Sequence, residues 1–437
     1  MKFSVTVKAL AVGIAAAVSF AASAVPVISQ SSVIADQDKL SRKVKIEYQL
    51  TEEPGIVTID IQTNVSEGVW ASIGGEHYQT MYGAVNRINT NVTTKSYAYW
   101  HPDVDWGAND PAMVNVRVVV TAWSTNSPPD YMVVDLTAKS NLLFYANVES
   151  LPGGVGDMKY KTDWLVMRKV PAKGVIWRMG SPATEPNRVT GWDANLEPAR
   201  LVVLTNDYYL GVYEVTQKQF WNLSDGQSTP SPSLFKDAEN ADVLPVENVA
   251  WATMKGDHGT AGGAASWPEN GHYAKVGSKF ANLRDKTGLL FDFPTSVQWE
   301  YACRAGTSDA FNGGTIGEYA WYDGNCTNVT TNTAMTHPVG TKKANAWGFY
   351  DMHGNVAEWV LERPYVPDAE PGVTYEEPTI PVGYSVSSYR THYMVRGGAY
   401  DNDVAHCRSA YCGHMQPTAS SSKYGVRLWA PAVIPYK

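Results

Sequence analysis

Two cysteines near the C-terminus, Cys407 and Cys412, are the residues whose type and spacing best suit redox or metal chemistry. The chain has two further cysteines, Cys303 and Cys326, and four cysteines allow three disulfide connectivities in an oxidising compartment. No Cys-x2-Cys pair is present and no histidine stands at ligand spacing beside a pair, so the sequence predicts no zinc site.

Residues 350–359 form a second segment whose residue types could bind a metal. Asp351 and Glu358 supply carboxylates, and Gly354 allows a turn that points nearby backbone carbonyls inward. Calcium takes six to eight hard oxygens of these two kinds. The segment therefore predicts a calcium site, with the alternative that Glu358 caps or salt-bridges a buried turn.

Composition and charge exclude several classes of protein. Hydrophobic residues make up 44% and charged residues 18% of the 437 residues, which is typical of a globular chain. The net charge is −8 and no basic stripe with interleaved aromatics is present, so a nucleic-acid partner is not expected.

The N-terminus has the pattern of an export signal. Lys2 and Lys8 flank the start of a short apolar run at 9–20, and Ala-Ser-Ala at 22–24 offers a cleavage site. We expect residues 1–24 to be a signal peptide, and no later segment is long enough to span a bilayer. The sequence therefore predicts a secreted or periplasmic protein without a transmembrane segment in the mature chain.

The elements that follow this signal are strands. Apolar residues alternate with polar ones over residues 44–50 and 57–61, and further strands are predicted at 116–120 and 131–136. Short strands without a convincing helix predict a small all-β sandwich of the immunoglobulin or fibronectin kind at residues 33–150. The glycine-rich stretch at 151–156 reads as a boundary.

Beyond residue 160 the chain has evenly spread glycines and aromatics and few amphipathic helices. The clearest predicted helix covers 296–304, with Thr295 or Ser296 as its cap. We expect short strands joined by long loops, an irregular α+β domain that extends to residue 432.

Eight short motifs follow one another in this half. They are Trp-Arg-Met-Gly-Ser at 177–181, Tyr-Glu-Val-Thr-Gln at 213–217, Pro-Val-Glu-Asn-Val-Ala-Trp at 245–251, Phe-Pro-Thr-Ser-Val-Gln-Trp-Glu-Tyr-Ala-Cys-Arg at 293–304, Tyr-Asp-Met-His-Gly-Asn-Val-Ala-Glu-Trp at 350–359, Arg-Gly-Gly-Ala at 396–399, Arg-Ser-Ala at 408–410 and Gly-Val-Arg-Leu at 425–428. In this order they resemble the formylglycine-generating enzyme (sulfatase-modifying factor) family. The resemblance implies a loop-rich, C-type-lectin-like α+β domain, often calcium-stabilised, whose calcium ligands here would be Asp351, Gly354, Val356 and Glu358.

The founding members of this family oxidise a sulfatase cysteine to formylglycine with oxygen and a copper(I) ion held by two cysteines. Counted on the family pattern, the active-site serine is replaced here by Ala399 and the first copper cysteine by Asn402, while the second falls on Cys407. Cys407 and Cys412 keep the five-residue offset, but in a shifted register. The resemblance also implies a bridge from Cys303 toward this strand, so three interpretations stay open: a structural disulfide of Cys407 or Cys412 with Cys303, reduced cysteines without a role, and a relocated redox or copper pair.

Two functions follow from these alternatives. The first is a calcium-stabilised binding or accessory protein without oxidase chemistry, with a protein or glycan ligand. Its candidate binding loop, 400–422, presents polar side chains from Asp401, Asn402, Asp403, His406, Tyr411, His414 and Gln416. The second is an active copper-dependent oxidase of exported sulfatases that uses Cys407 and Cys412. An iron-dependent oxidase is disfavoured because the His-x3-His-x-Glu pattern of iron-binding relatives is absent.

Overall fold

The computed structural model describes residues 25–107, 115–137, 142–191, 193–224, 231–256, 272–328, 332–364, 373–376 and 392–436. The predicted signal peptide at 1–24 lies outside these ranges. The described chain folds into two compact units: Met1–Val133 with Leu142–Asp157 and Ala432–Lys437, and Val134–Asn141 with Met158–Pro431. The boundaries at 33–150 and 160–432 stay predictions.

The first unit is built from strands and one short helix. These are β1 (Val27–Ile28), β2 (Ile34–Gln37), β3 (Val44–Tyr48), β4 (Leu50–Thr51), β5 (Gly55–Ser66), β6 (Val69–Ser72), β7 (Tyr82–Gly83), β8 (Arg87–Asn89), β9 (Ser96–Trp100), α1 (Pro102–Asp105), β10 (Val116–Trp123) and β12 (Leu142–Tyr145), while β11 (Tyr131–Asp135) crosses the boundary between the units. The strands predicted near residues 44, 57, 116 and 131 are confirmed.

Two antiparallel sheets carry the core of this unit. One has the order β2-β3-β9-β7, and in the other β5 pairs with β10, β6 and β8. Ile46 lies opposite Ala98 in the first sheet and Ile61 opposite Val118 in the second, and all four side chains belong to one hydrophobic cluster. The alternation of apolar and polar residues is what places one face of each strand in that cluster.

The second unit has more irregular chain between its elements. These are β13 (Trp164–Val170), β14 (Ile176–Met179), β15 (Arg200–Val203), β16 (Tyr208–Gly211), α2 (Gln217–Asn222), α3 (Trp251–Lys255), α4 (Lys279–Thr287), α5 (Ser296–Arg304), α6 (Ile316–Tyr319), β17 (Ala320–Trp321), β18 (Thr327–Asn328), β19 (Thr333–Ala334), β20 (His353–Gly354), β21 (Ala357–Trp359), β22 (Thr374–Glu376), β23 (Tyr393–Arg396), β24 (Gly413–Met415), β25 (Tyr424–Gly425) and β26 (Trp429–Pro431). Strands thus outnumber helices, as expected.

Helix α5 has the bounds predicted from the sequence, and its start is fixed locally. Thr295 accepts a hydrogen bond from the Gln298 backbone at 3.2 Å, and the Gln298 side chain accepts one from the Thr295 backbone at 2.9 Å. This reciprocal capping satisfies two amides that the helix leaves unpaired. The helix packs Trp299, Ala302 and Cys303 into the main core cluster of the unit.

The sheet β24-β23-β21-β25 brings the last family motifs beside α5. In it Glu358 lies opposite Arg396 on antiparallel β23 and beside Gly425 on parallel β25. Within the described ranges, no helix is long and apolar enough to cross a membrane.

Candidate functional site

Buried charges from distant motifs meet around Arg427. Its guanidinium donates to both oxygens of Glu358 at 2.7–2.9 Å, and Trp299 donates to the same carboxylate at 2.5 Å. Arg427 also donates to backbone carbonyls of Gly211 and Tyr350. The structure therefore contains the buried salt bridge of Glu358 that the sequence left open as the alternative to calcium binding.

Two more carboxylates complete what we call the acidic cluster: Glu214, Asp351 and Glu358 around Arg427. Glu214 accepts from the Asn355 side chain at 2.7 Å and from the Val356 backbone at 3.0 Å. Burial, together with the charges of Asp351 and Glu358, raises the pKa of Glu214 well above its ordinary value. No role was predicted for Glu214 from the sequence, although it lies in one of the eight motifs.

Asp351 is the member of the acidic cluster with a carboxylate oxygen that could coordinate a cation. Its Oδ2 accepts from the Gly340 backbone at 2.7 Å, whereas its buried Oδ1 has no hydrogen-bond partner in the described part of the chain. Burial raises the pKa of Asp351 to about 6. A buried carboxylate oxygen without a donor is destabilising unless a cation or proton meets it.

The predicted calcium ligands fit this geometry unequally. Asp351 fits, because its free oxygen lies in a turn where Asp351, Gly354 and Asn355 all have positive φ. Gly354 is required there, since a Cβ at this position would lie 2.0 Å from the Trp321 carbonyl oxygen. Glu358 fits less well, because Arg427 already neutralises it. Calcium binding by Asp351, Gly354, Val356 and Glu358 stays a prediction.

The four cysteines are all buried free thiols, so the suggested disulfide from Cys303 to Cys407 or Cys412 is not present in the structure. The Sγ of Cys303 lies 3.7 Å from His353 Nε2, and that of Cys412 lies 3.2 Å from Met394 Sδ. Burial raises the pKa of Cys303 and of Cys412 to about 12, and that of Cys407 well above its ordinary range. Copper(I) fits this environment poorly, because it binds thiolates and burial keeps these thiols protonated.

Ala399 and Asn402, where the resemblance predicts a serine and the first copper cysteine in the family, contact each other locally. Asn402 accepts a hydrogen bond from the Ala399 backbone through its side-chain oxygen at 2.9 Å, and its carbonyl accepts from Asp323 at 3.0 Å. Ala399 is fully buried. The amide of Asn402 therefore holds the turn in shape and offers no soft ligand to a metal.

The predicted binding loop is tied down by contacts of its own. Asp401 pairs with Lys423 at 2.8 Å, and Asp403 accepts from the backbone of His406, whose ring packs edge-on against Tyr411. His414 lies 3.7 Å from Asp193. Only Asp403 and Gln416 among the seven predicted residues are well exposed, so the loop presents fewer free side chains than the sequence suggested.

A second buried ion-pair network includes Arg408 from this loop. Arg408 donates to Glu185 at 2.7 Å and to Glu197 at 2.8–3.0 Å, and its side chain is fully buried. Arg408 therefore ties this segment to the chain around Glu185 and Glu197.

Comparison with known proteins decides the family. The sequence pattern of the Sulfatase-modifying factor enzyme 1-like domain matches residues 168–431. The chain belongs to the sulfatase-modifying factor family. The resemblance drawn from the eight motifs is thereby confirmed, and the match covers more than half of the chain.

Curated relatives of this sulfatase-modifying factor family protein match only in part. The chain is 31% identical over 187 residues to "Chaperone protein LppX" of Paenibacillus barcinonensis. The aligned segment covers 37% of this chain and 64% of that protein. It is 31% identical over 134 residues to "Serine/threonine-protein kinase pkn1" of Chlamydia pneumoniae, covering 31% of this chain and 20% of the kinase. The chain thus spans less than two thirds of either relative.

Among solved structures, this chain is similar at low sequence identity to two proteins and covers almost the whole of each. The Treponema denticola variable protein 1 is 22% identical with a TM-score of 0.43, covering 61% of this chain and 95% of that one. PvdO from Pseudomonas aeruginosa is 20% identical with a TM-score of 0.44, covering 61% and 94%.

Proposed function

We propose that this protein is an exported binding or accessory member of the sulfatase-modifying factor family that has lost copper-dependent oxidase chemistry. The observation that carries the proposal is the contact between the Asn402 side chain and the Ala399 backbone, which fills the place where the family has its serine and first copper cysteine. A role as an accessory protein is also compatible with the name of the relative described as a chaperone protein.

The remaining thiols support the same conclusion. Cys407 and Cys412 are buried and make separate contacts, Cys407 against Gly398 and Cys412 against Met394. A thiolate in either position would be a buried charge, and burial raises the pKa of Cys412 although the Arg396 charge acts in the opposite direction. The alternative, an oxidase of exported sulfatases that uses these two residues, would need both thiols to ionise and to move together.

Calcium is part of the proposal, with Asp351 as the anchoring ligand. Calcium would supply the positive charge that the buried Oδ1 lacks. We also propose that the first unit is a sandwich of the immunoglobulin or fibronectin kind, because its two antiparallel sheets share one hydrophobic cluster.

The test is formation of an aldehyde on a peptide. The protein is incubated with copper(I), oxygen and a peptide that carries the sulfatase Cys-x-Pro-x-Arg motif, and the product is detected with a hydrazide probe. We expect no aldehyde above the protein-free blank. The matched control is the double variant Ala399→Ser with Asn402→Cys, which restores the family residues. Turnover by the wild-type chain that disappears in Cys407→Ser would overturn the proposal.

A further inference from the structure

A cleft of about 870 Å³ opens on the second unit, away from the acidic cluster and from Asn402. Strand β14, helix α5 and the loops at 180–187 and 306–311 surround it. We call it the side cleft. A volume of this size lies within the range of sites that hold small organic ligands or a few sugar rings.

Aromatic rings form one wall of the side cleft. Trp177 and Tyr301 lie 5.2 Å apart between ring centroids at 46°, and Phe311 is held edge-on against His353 at 5.7 Å. Such rings offer flat apolar faces of fixed orientation, which suit the C–H faces of a sugar ring. The wall is therefore suited to a ligand with both apolar and polar surfaces.

One polar group in this wall has no partner. The indole Nε1 of Trp177 is buried and makes no hydrogen bond to the described protein. Because this atom is shut off from solvent, Trp177 offers the cleft its ring and not its N–H.

Charges within the side cleft are balanced by the protein itself. Arg304 pairs with Glu300 at 2.8 Å and donates to the carbonyls of Gly180 and Ser308. Glu185 pairs with Arg408. A ligand with a strong charge would find no unpaired buried partner, so the interior favours a neutral molecule.

The rim supplies hydrogen-bonding groups at several positions. These are the exposed side chains of Thr184, Asn187, Ser308 and Asp309, with Arg178 adding one positive charge against the negative charge of Asp309. Amides, hydroxyls and carboxylates beside aromatic rings form the set of groups that recognises neighbouring hydroxyls.

The walls are held in place before any ligand arrives. Arg304 bonds to the carbonyls of Ser308 and Asp309 at 3.0 and 3.2 Å, and the Ala310 carbonyl accepts from the Ser409 backbone at 3.0 Å. Gly180 packs so closely that a Cβ there would lie 2.3 Å from the Pro198 carbonyl oxygen. A rigid cleft reduces the entropy lost on binding.

We propose that the side cleft binds a neutral oligosaccharide, with the Trp177 and Tyr301 rings against its apolar faces and the polar rim side chains bonded to its hydroxyls. This inference rests on the proposed binding function and names its ligand class and site. The failure of the proposed function and the failure of this inference can be told apart. The aldehyde assay reports on oxidase chemistry, and the experiment below reports on saccharide binding.

The experiment is calorimetric titration of the full mature chain with cellohexaose, N-acetylchitohexaose and mannohexaose, and with a heparin hexasaccharide as the anionic comparator. We expect at least one neutral hexasaccharide to bind, and Trp177→Ala to weaken it about tenfold or more, as for aromatic residues that dominate binding sites. Trp177→Phe, which keeps a ring, should fall between them.

Two further variants keep the test independent of folding. Asp309→Ala alters an exposed rim residue whose carboxylate has no interior role, and it should weaken binding without changing the melting temperature. Trp221→Ala removes an indole that is 44% exposed on α2, outside the cleft, and should bind like the wild type. The proposal would be overturned if no neutral hexasaccharide binds or if the heparin hexasaccharide binds more tightly. It would also be overturned if Trp177→Ala and Asp309→Ala both bind with the affinity of the wild type.

Discussion

Asp351→Asn should stabilise the second unit at neutral and alkaline pH, because it removes a charge that folding buries. The wild-type carboxyl has its pKa raised by burial from 3.8 to about 6. An asparagine keeps an oxygen for the Gly340 backbone N–H, and it tolerates the φ of 56° at this position. The substitution therefore changes the charge and leaves the local contacts in place.

The magnitude follows from proton linkage. A group whose folded pKa exceeds its unfolded pKa binds more protons when folded, so its contribution to stability is complete below the unfolded value and is lost as pH rises through the folded one. For Asp351 this loss occurs between about pH 4 and about pH 6. At about 1.4 kcal/mol per pH unit, it amounts to roughly 3 kcal/mol.

The measurement is urea unfolding followed by tryptophan fluorescence, near pH 4 and near pH 8, in buffer with a chelator. We expect Asp351→Asn to match the wild type near pH 4 and to exceed it by roughly 2–3 kcal/mol near pH 8. Asp237→Asn, which alters an exposed carboxylate, is the control and should follow the wild type at both values. Parallel behaviour of Asp351→Asn and the wild type across this range would refute the reasoning.

Calcium adds a second arm to this experiment. If Asp351 anchors calcium, the ion should stabilise the wild type near pH 8 by mass action and leave Asp351→Asn almost unchanged. Equal stabilisation of both proteins by calcium would show that the ion does not bind through Asp351.

Three other outcomes are expected. Ellman's reagent should titrate four thiols in denaturant and almost none in the native protein, whereas fewer than four in denaturant would reveal a disulfide. Lys255→Met should lower the free energy of unfolding by about 2 kcal/mol, because it removes the buried ammonium 2.8 Å from Asp292 while Arg284 stays 3.1 Å from the same carboxylate; urea unfolding checks this, and a loss below about 1 kcal/mol would contradict it. Gly354→Ala should lower the free energy of unfolding by several kcal/mol more than Gly174→Ala in the same assay. Both glycines have positive φ, but only at Gly354 would the added Cβ meet a backbone oxygen. Equal losses in the two variants would contradict this reasoning.

Local features were predictable because neighbouring residues determine them. Helix α5 begins where Thr295 and Gln298 cap each other, and the two residues lie three positions apart in the sequence. The strands of the first unit follow from alternation of apolar and polar residues. These signals act over a few residues, so they can be read without knowledge of the fold.

The partners of buried charges could not be read in this way. The sequence placed Glu358 in a turn that suits calcium, yet its contact with Arg427 depends on the pairing of β21 with β25. Glu214 joins the same cluster from a motif far upstream. Likewise, the isolation of Cys407 from Cys412 depends on how each side chain is packed, and their spacing alone made them look like a pair.

The residues that reveal the family are the ones that hold the fold. Glu358, Arg396, Arg408 and Arg427 come from four of the eight motifs, and each is fully buried in an ion pair. Removing one partner from such a pair leaves a buried charge, so these positions are constrained by folding whatever the domain does. The motifs therefore identify the scaffold, and the chemistry depends on positions such as Asn402, where this chain departs from the family pattern. Under the proposed function the domain keeps these buried pairs and binds its ligand in the side cleft, where Arg304 pairs with Glu300 and Glu185 pairs with Arg408.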